Sequence, residues 1–127
     1  MGPNFVLDKG FQATTAITQF RAVTQVSDAG VKQTDAAAAV ALGIAQENIS
    51  AADATSGRIA AVRMVGISRA INGTAGALAR SSLVATDNQG RVVAATTGQA
   101  CIGLTLTAAT AQGDQVDMLL LVGTIKP

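Results

Sequence analysis

The chain has 127 residues, enough for one domain with a continuous hydrophobic core. Apolar residues make up 49% of it, yet Phe5, Phe11 and Phe20 are the only aromatics, so the body beyond Arg21 must build its core from Ala, Val, Ile, Leu and Met. Nine basic and eight acidic residues leave a net charge of +1 with no like-charge run and no aromatic interleaved with Lys or Arg, which argues against a nucleic-acid groove or an anionic membrane patch.

The opening MGPNFVLDKG lacks the basic segment and apolar run of a signal peptide, and no apolar stretch approaches the ~20 residues of a spanning helix. A soluble protein made in a cytoplasm is expected, and one cysteine, which cannot form an internal disulfide, fits that compartment. An Ala-rich core buries less area per residue at roughly 25 cal/mol per Å², so oligomerisation is expected to add stability.

Residues 1–19 carry Asp8, Lys9 and scattered Thr and Gln without a sustained period, and read as an N-terminal arm or irregular edge segment. The single β domain is expected over 20–127. From Phe20 onward short runs of Val, Ile, Leu and Thr alternate with Gly, Asn, Asp and Ser clusters, the pattern of strands and turns. Prolines stand only at Pro3 and Pro127, so none interrupts a sheet.

An internal repeat organises this β body. Superposing Gly30 on Gly90 sets SDAG (27–30) against DNQG (87–90) and ALGIA (41–45) against CIGLT (101–105), at an offset of sixty residues. MVGIS (64–68) then lies over LVGTI (121–125) and Ile59 over Val116 at an offset of fifty-seven, leaving three extra residues in the first copy's loop ISAADATSG. Each copy reads as four strands, over about 20–69 and 80–125. The alternation agrees: Ile102, Leu104 and Leu106 share one side with Leu42 and Ile44, while Cys101, Gly103 and Thr105 share the other with Ala41, Gly43 and Ala45. A one-residue slip would invert every side chain, so the agreement favours duplication over chance similarity within an Ala- and Gly-rich sequence.

Gly30 and Gly90 each suit the positive φ of a hairpin that closes with a bulge. AINGTAGALARSS (70–82) reads as the connection between copies, with a weakly signalled helical turn at 76–81. RIAAVRMVGI (58–67) puts Ile59, Ala61, Arg63, Val65 and Ile67 on one face, an apolar stripe interrupted by a charge. Its counterpart VDMLLLVG (116–123) has Leu120 where Arg63 stands and is apolar on both faces from Met118 to Val122. Such a strand is either the central core strand or needs cover from another layer or subunit. Met118 and Leu120 are therefore candidates for a subunit interface. Arg63 is another, since it can form an internal ion pair or reach a neighbouring subunit's carboxylate.

No catalytic constellation emerges. There is no histidine, tryptophan or tyrosine, which removes the commonest general base and transition-metal ligand. The acids Asp8, Asp28, Asp35, Glu47, Asp53, Asp87, Asp114 and Asp117 fall mostly one per turn, and Asp114 and Asp117 lie on opposite faces of a strand. No G-x-G-x-x-G or G-x-x-x-x-G-K-S/T occurs, and Gly98-Gln99 leads into a strand and not a phosphate-binding helix. Cys101 has no cation nearby in sequence to lower its pKa and reads as a packed thiol. Asn48-Ile49-Ser50 and Asn72-Gly73-Thr74 match a glycosylation pattern without a secretory signal beside it. No catalytic, cofactor or metal residue is assigned. Phe5 and Phe11 either fold back on the domain or anchor in a partner's groove.

The run SSLVATDNQGRVVAATTGQACIGLTLTAATAQGDQVDMLLLVG (81–123) resembles the capsid decoration, or cement, proteins of tailed bacteriophages, the group that includes the lambda head decoration protein. The shared pattern is a turn glycine (Gly90), a Thr/Gly segment (Thr97-Gly98), a strand of small residue, x, Gly and hydrophobic (Cys101 to Leu104), an Ala-rich loop (Ala108-Ala109) and a final apolar strand (Met118 to Gly123). The resemblance implies a compact all-β, β-barrel or β-tulip-like fold. It also implies a homotrimeric, non-enzymatic virion protein on the outer capsid surface that bridges major capsid protein subunits of an expanded head. Phe5 and Phe11 on the arm then become capsid-contact candidates, and deletion of residues 1–12 is expected to leave the β body folded. The alternative from another class is a small oligomeric β-barrel binding or coat module, although ligand barrels usually line their pockets with aromatics.

Overall fold

A computed structural model of the chain describes residues 5–127. In chain order it contains β1 (Leu7–Ala13), β2 (Ala22–Gln25), β3 (Gly30–Gln33), β4 (Gly43–Ala45), α1 (Ala51–Thr55), β5 (Ile59–Val65), β6 (Ile67–Ile71), β7 (Leu83–Thr86), β8 (Val92–Ala94), β9 (Gly103–Thr105) and β10 (Gln115–Leu120). The fold is all-β apart from α1. Strands β1, β3, β2, β4 and β5 close in that order into a barrel, and β6, β10, β9, β7 and β8 form a second five-stranded sheet. A parallel bridge from Asn72, just after β6, to Val92 on β8 joins the edges of that second sheet. It repeats the parallel pairing of Ala13 with Val31 that closes the first barrel.

The duplication is therefore structural, and its unit has five strands. Val23 faces Gln33 and Gly43 as Val84 faces Ala94 and Gly103, and Ile44 faces Arg63 as Leu104 faces Leu119. Irregular features recur too. The bridge Ile17–Ile49 matches Leu78–Ala109, and Phe20 and Ser81, at φ 65 and 58, hold matching left-handed positions just before β2 and β7.

These registers correct the sequence alignment. Val31 corresponds to Val92, so Gly30 corresponds to Arg91 and not to Gly90. Gly90 takes the expected positive φ of 75. Gly30 instead serves a close approach, since a Cβ there would lie 2.7 Å from Ser27 Oγ. Arg63 corresponds to Leu119 and not to Leu120. The inward residues of β5, Ala60 and Val62, then match Val116 and Met118 on β10. The stripe Ile59, Arg63, Val65, Ile67 does share a face, but it is the outer one.

The first strand of each unit escaped the sequence reading. Residues 7–13, assigned to an arm, form β1, which pairs with β5 from Leu7–Val65 to Gln12–Ile59 and buries Phe11 and Ala13. Its polar residues alternate outward and its closure is non-local, so neither composition nor period marks it. The second unit's first strand, β6, takes the place given to the end of copy one. The connection after it is held by buried Asn72, which donates through Nδ2 to the carbonyls of Gly76 (2.8 Å) and Ala111 (3.0 Å) and accepts from the Thr74 N–H (2.9 Å). All three bonds satisfy an amide that occupies the position of Ala13.

No helical turn forms at 76–81. The helix lies instead in the longer loop of the first copy, where eight steps separate Ile49 from the positive-φ Gly57 but four separate Ala109 from Gly113. Ser50 caps it, its Oγ accepting from the Asp53 N–H at 3.1 Å. Arg58 braces the loop through Asp53 (3.0 Å) and Glu47 (3.1 Å).

Five-stranded barrels have narrow interiors, and that dictates which side of β4 and β9 turns inward. Gly43 and Ala45 face the first interior; a Cβ on Gly43 would lie 3.0 Å from Val62 Cγ1. Gly103 and Thr105 face the second, where a Cβ on Gly103 would stand 2.5 Å from Met118 Cγ. The small side thus lines the barrels. Ile44 and Leu104 turn outward.

Candidate interaction surface

The outward turn of Ile44 is covered within the chain. Ile44 and Ala22 are both 0% exposed, yet they belong to the apolar cluster of the second barrel, with Val84, Val92, Ile102, Val116 and Met118. The β7–β8 hairpin supplies the polar edge of this junction. Gly90 carbonyl accepts from the Ala22 N–H at 2.7 Å, and Gln89 carbonyl accepts from Arg21 Nη1 (2.9 Å) and Gln33 Nε2 (3.1 Å). Asp87 and Arg91 pair at 2.8 Å beneath it, both largely buried. Burial lowers the pKa of Arg21; the nearby Arg91 adds to the shift and Asp87 opposes it.

A cleft of about 330 Å³ opens between the barrels, lined by Phe20, Gln46, Arg63, Ile67, Ser68, Arg69 and Asp117. Arg63 in this cleft is engaged within the chain. Arg63 joins Asp8 through Nε–Oδ1 (2.8 Å) and Nη2–Oδ2 (3.0 Å) and donates from Nη1 to the Ile67 carbonyl at 3.1 Å. That hydrogen-bonded pair raises the pKa of Arg63 and lowers that of Asp8. Gln46 Nε2 donates across the cleft to Ser68 Oγ at 2.9 Å.

Two further carboxylates meet a cation or hold a turn. Asp35 pairs with Lys32 at 3.0 Å. Asp114 accepts from the N–H groups of Ala111 (3.0 Å) and Thr110 (3.2 Å), which lower its pKa. Cys101 is buried, its Sγ 3.7 Å from the Gln99 carbonyl. Among the described residues no group of three or more His, Cys, Asp or Glu could hold a metal ion, and no helix is long and apolar enough to cross a membrane.

The five residues singled out from sequence are scattered. Phe5 is 82% exposed ahead of β1, beside exposed Val6 and Leu7, and Val65 lies opposite Leu7. Phe11 is in the core of the first barrel with Lys9 Nζ 5.3 Å from its ring, so it has no surface to offer a capsid. Met118 and Leu120 line the second barrel and cannot form a subunit interface; Leu119 between them faces out. Arg63 makes the internal ion pair, the first of its two readings.

Sequence reasoning missed the outer row Leu83, Leu104, Leu119, whose members stand directly opposite one another on β7, β9 and β10. The signal was present in the alternation of Leu104 and Leu106, but a large apolar side suggested the core.

No family model and no curated protein matches the chain. A solved structure does: the N base of the head fiber gp8.5 in bacteriophage phi29 is similar over 97% of this chain and 100% of that one, with 14% identity and a TM-score of 0.69. The chain has the fold of that base.

Proposed function

We propose that the protein is a structural component of a tailed-phage virion, attached to the outer surface of the head, where it decorates and stabilises the shell without enzymatic chemistry. The observation that carries this reading is the extent of the likeness to the phi29 head-fiber base, which takes in both barrels and the whole of that base. The resemblance of residues 81–123 to capsid decoration proteins points the same way. The side chains support it: the polar groups described above brace loops and barrel junctions.

Attachment is assigned to the N-terminal end. Phe5 and Val6 are exposed ahead of the barrel, and Leu7 at the start of β1 and Val65 opposite it extend the apolar strip. An aromatic and its aliphatic neighbours can seat in a groove between major capsid protein subunits as an anchor. A homotrimer presents three such anchors, and each contact gains from the others through effective concentration. Binding only the expanded shell then favours that state by linkage.

Co-sedimentation of the purified chain with expanded empty heads tests the proposal. The wild type is expected in the head fraction, with Phe5→Ser weakening retention at unchanged thermal stability. Failure of the wild type to bind heads overturns the capsid role; equal retention of Phe5→Ser overturns the N-terminal anchor alone.

A further inference from the structure

Because the two barrels are copies, every surface of one has a counterpart on the other. The part of the first barrel that the second covers is the outer side of β2 and β4, at Ala22 and Ile44, with Arg21 and Gln33 at its polar edge. Register places Leu83 at the position of Ala22, Leu104 at that of Ile44, Ser82 at that of Arg21 and Ala94 at that of Gln33. Leu83, Leu104 and Leu119 form one cross-strand row, with Leu83 and Leu104 half-buried and Leu119 37% exposed. The side that is sealed in the first copy is apolar and accessible in the second.

The covering element also has a counterpart. Within the chain the β7–β8 hairpin tip, 87–90, lies against the first barrel. The equivalent β2–β3 tip, 26–29, is exposed, and Val26, at the position of Asp87, is 47% exposed. The two turns share their closure, Val26 N–H to the Gly30 carbonyl and Asp87 N–H to the Arg91 carbonyl, each at 2.9 Å.

The matched positions differ together. Inside the chain the junction holds Asp87, Arg91 and Arg21, whose charges interact. Their counterparts are Val26, Gly30 and Ser82, so these three charges are absent from the matched positions; the row gains Leu83 where Ala22 stands, and the tip carries its own charge at Asp28, exposed at the position of Gln89. The matched contact therefore carries no counterpart of the buried Asp87–Arg91 pair.

We propose that the β2–β3 tip of one copy docks against the Leu83–Leu104–Leu119 row of a second copy, repeating between chains the contact that the β7–β8 tip makes within one. The contact is head-to-tail: each copy offers the tip on its first barrel and the row on its second, which lets subunits close into a ring. The inference rests on the duplicated barrels and not on capsid attachment, so it is tested without heads.

Sedimentation velocity of the full chain reads the outcome. The wild type is expected to be oligomeric, and Leu119→Arg in the row or Val26→Arg in the tip is expected to weaken association at least about tenfold. Each change is outward-facing, and thermal melting followed by circular dichroism checks the fold. Mixing the two variants is the decisive arm: Leu119→Arg keeps an intact tip and Val26→Arg an intact row, so the mixture should form a heterodimer that neither forms alone. Should Leu119→Arg fail to fold, Ser82→Arg takes its place, and adding Val26→Asp to it should restore association by recreating the charge relation of Arg21 and Asp87. A monomeric wild type, variants that remain oligomeric, or a mixture without heterodimer would each overturn the proposal.

Discussion

Arg63 on β5 stands opposite Asp8 on β1, and the two side chains close a bidentate ion pair across the antiparallel β1–β5 pairing of the first barrel. The pair lies within the segment whose composition suggests an arm. Its position has a direct consequence for truncation.

Removal of residues 1–12 takes away most of β1, the ion pair and buried Phe11. Loss of a buried phenylalanine side chain alone costs about 3–5 kcal/mol, a large part of the ~5–15 kcal/mol of a typical domain. The truncated chain is expected to lose cooperative melting, contrary to the expectation from sequence that the body stays folded. Removal of residues 1–5 spares every β1 pairing and should leave the melting temperature almost unchanged. Thermal denaturation of both chains, followed by far-UV circular dichroism, checks the contrast.

Asp87 makes the stability depend on pH. Burial works against its charge, but the N–H groups of Gln89 (2.8 Å) and Arg91 (2.9 Å) and the Arg91 guanidinium (2.8 Å) outweigh it, leaving the pKa below the ordinary value. A depressed folded pKa contributes stability that is present above the unfolded value, about 3.9, and is lost as pH falls through the folded value. The stability difference between wild type and Asp87→Asn should therefore be largest near neutral pH and shrink below about pH 4. Urea melts of the two proteins across that range measure it, and a difference that grows on acidification contradicts the assignment.

Gly103 tests the narrow barrel interior. A Cβ there would lie 2.5 Å from Met118 Cγ and 2.6 Å from the Leu119 carbonyl oxygen, and the backbone atom cannot rotate away. Gly103→Ala is expected to destabilise by about 1–3 kcal/mol, the usual cost of overpacking. Gly98→Ala meets no atom within 4 Å and carries only the strain of its positive φ, about 1 kcal/mol. Denaturant titration should rank Gly103→Ala as the more damaging, and equal effects would mean that the interior has room.

The duplication was legible because strands β2 to β5 and β7 to β10 keep their alternation, and a slip inverts every side chain. Its register was not, because identical glycines drew the alignment although Gly30 and Gly90 do different work one turn position apart. The interface candidates failed by one residue for a related reason. From Met118 to Val122 both faces are apolar, so period alone does not tell inward Met118 and Leu120 from outward Leu119. Phe11 was assigned to an arm because β1 reveals itself only through its pairing with β5 and β3, which lie far along the chain.

The chain passes from the first barrel to the second through the single residue Gly66, between the last residue of β5 and the first of β6, and its carbonyl is held by the Leu120 N–H at 2.9 Å. Ala22 and Ile44, meanwhile, belong to the first barrel's strands and to the second barrel's core. Opening the first half therefore uncovers the core of the other, with no slack linker to let the halves part independently. The molecule is built to melt in one calorimetric step, as a single cooperative body despite its two cores.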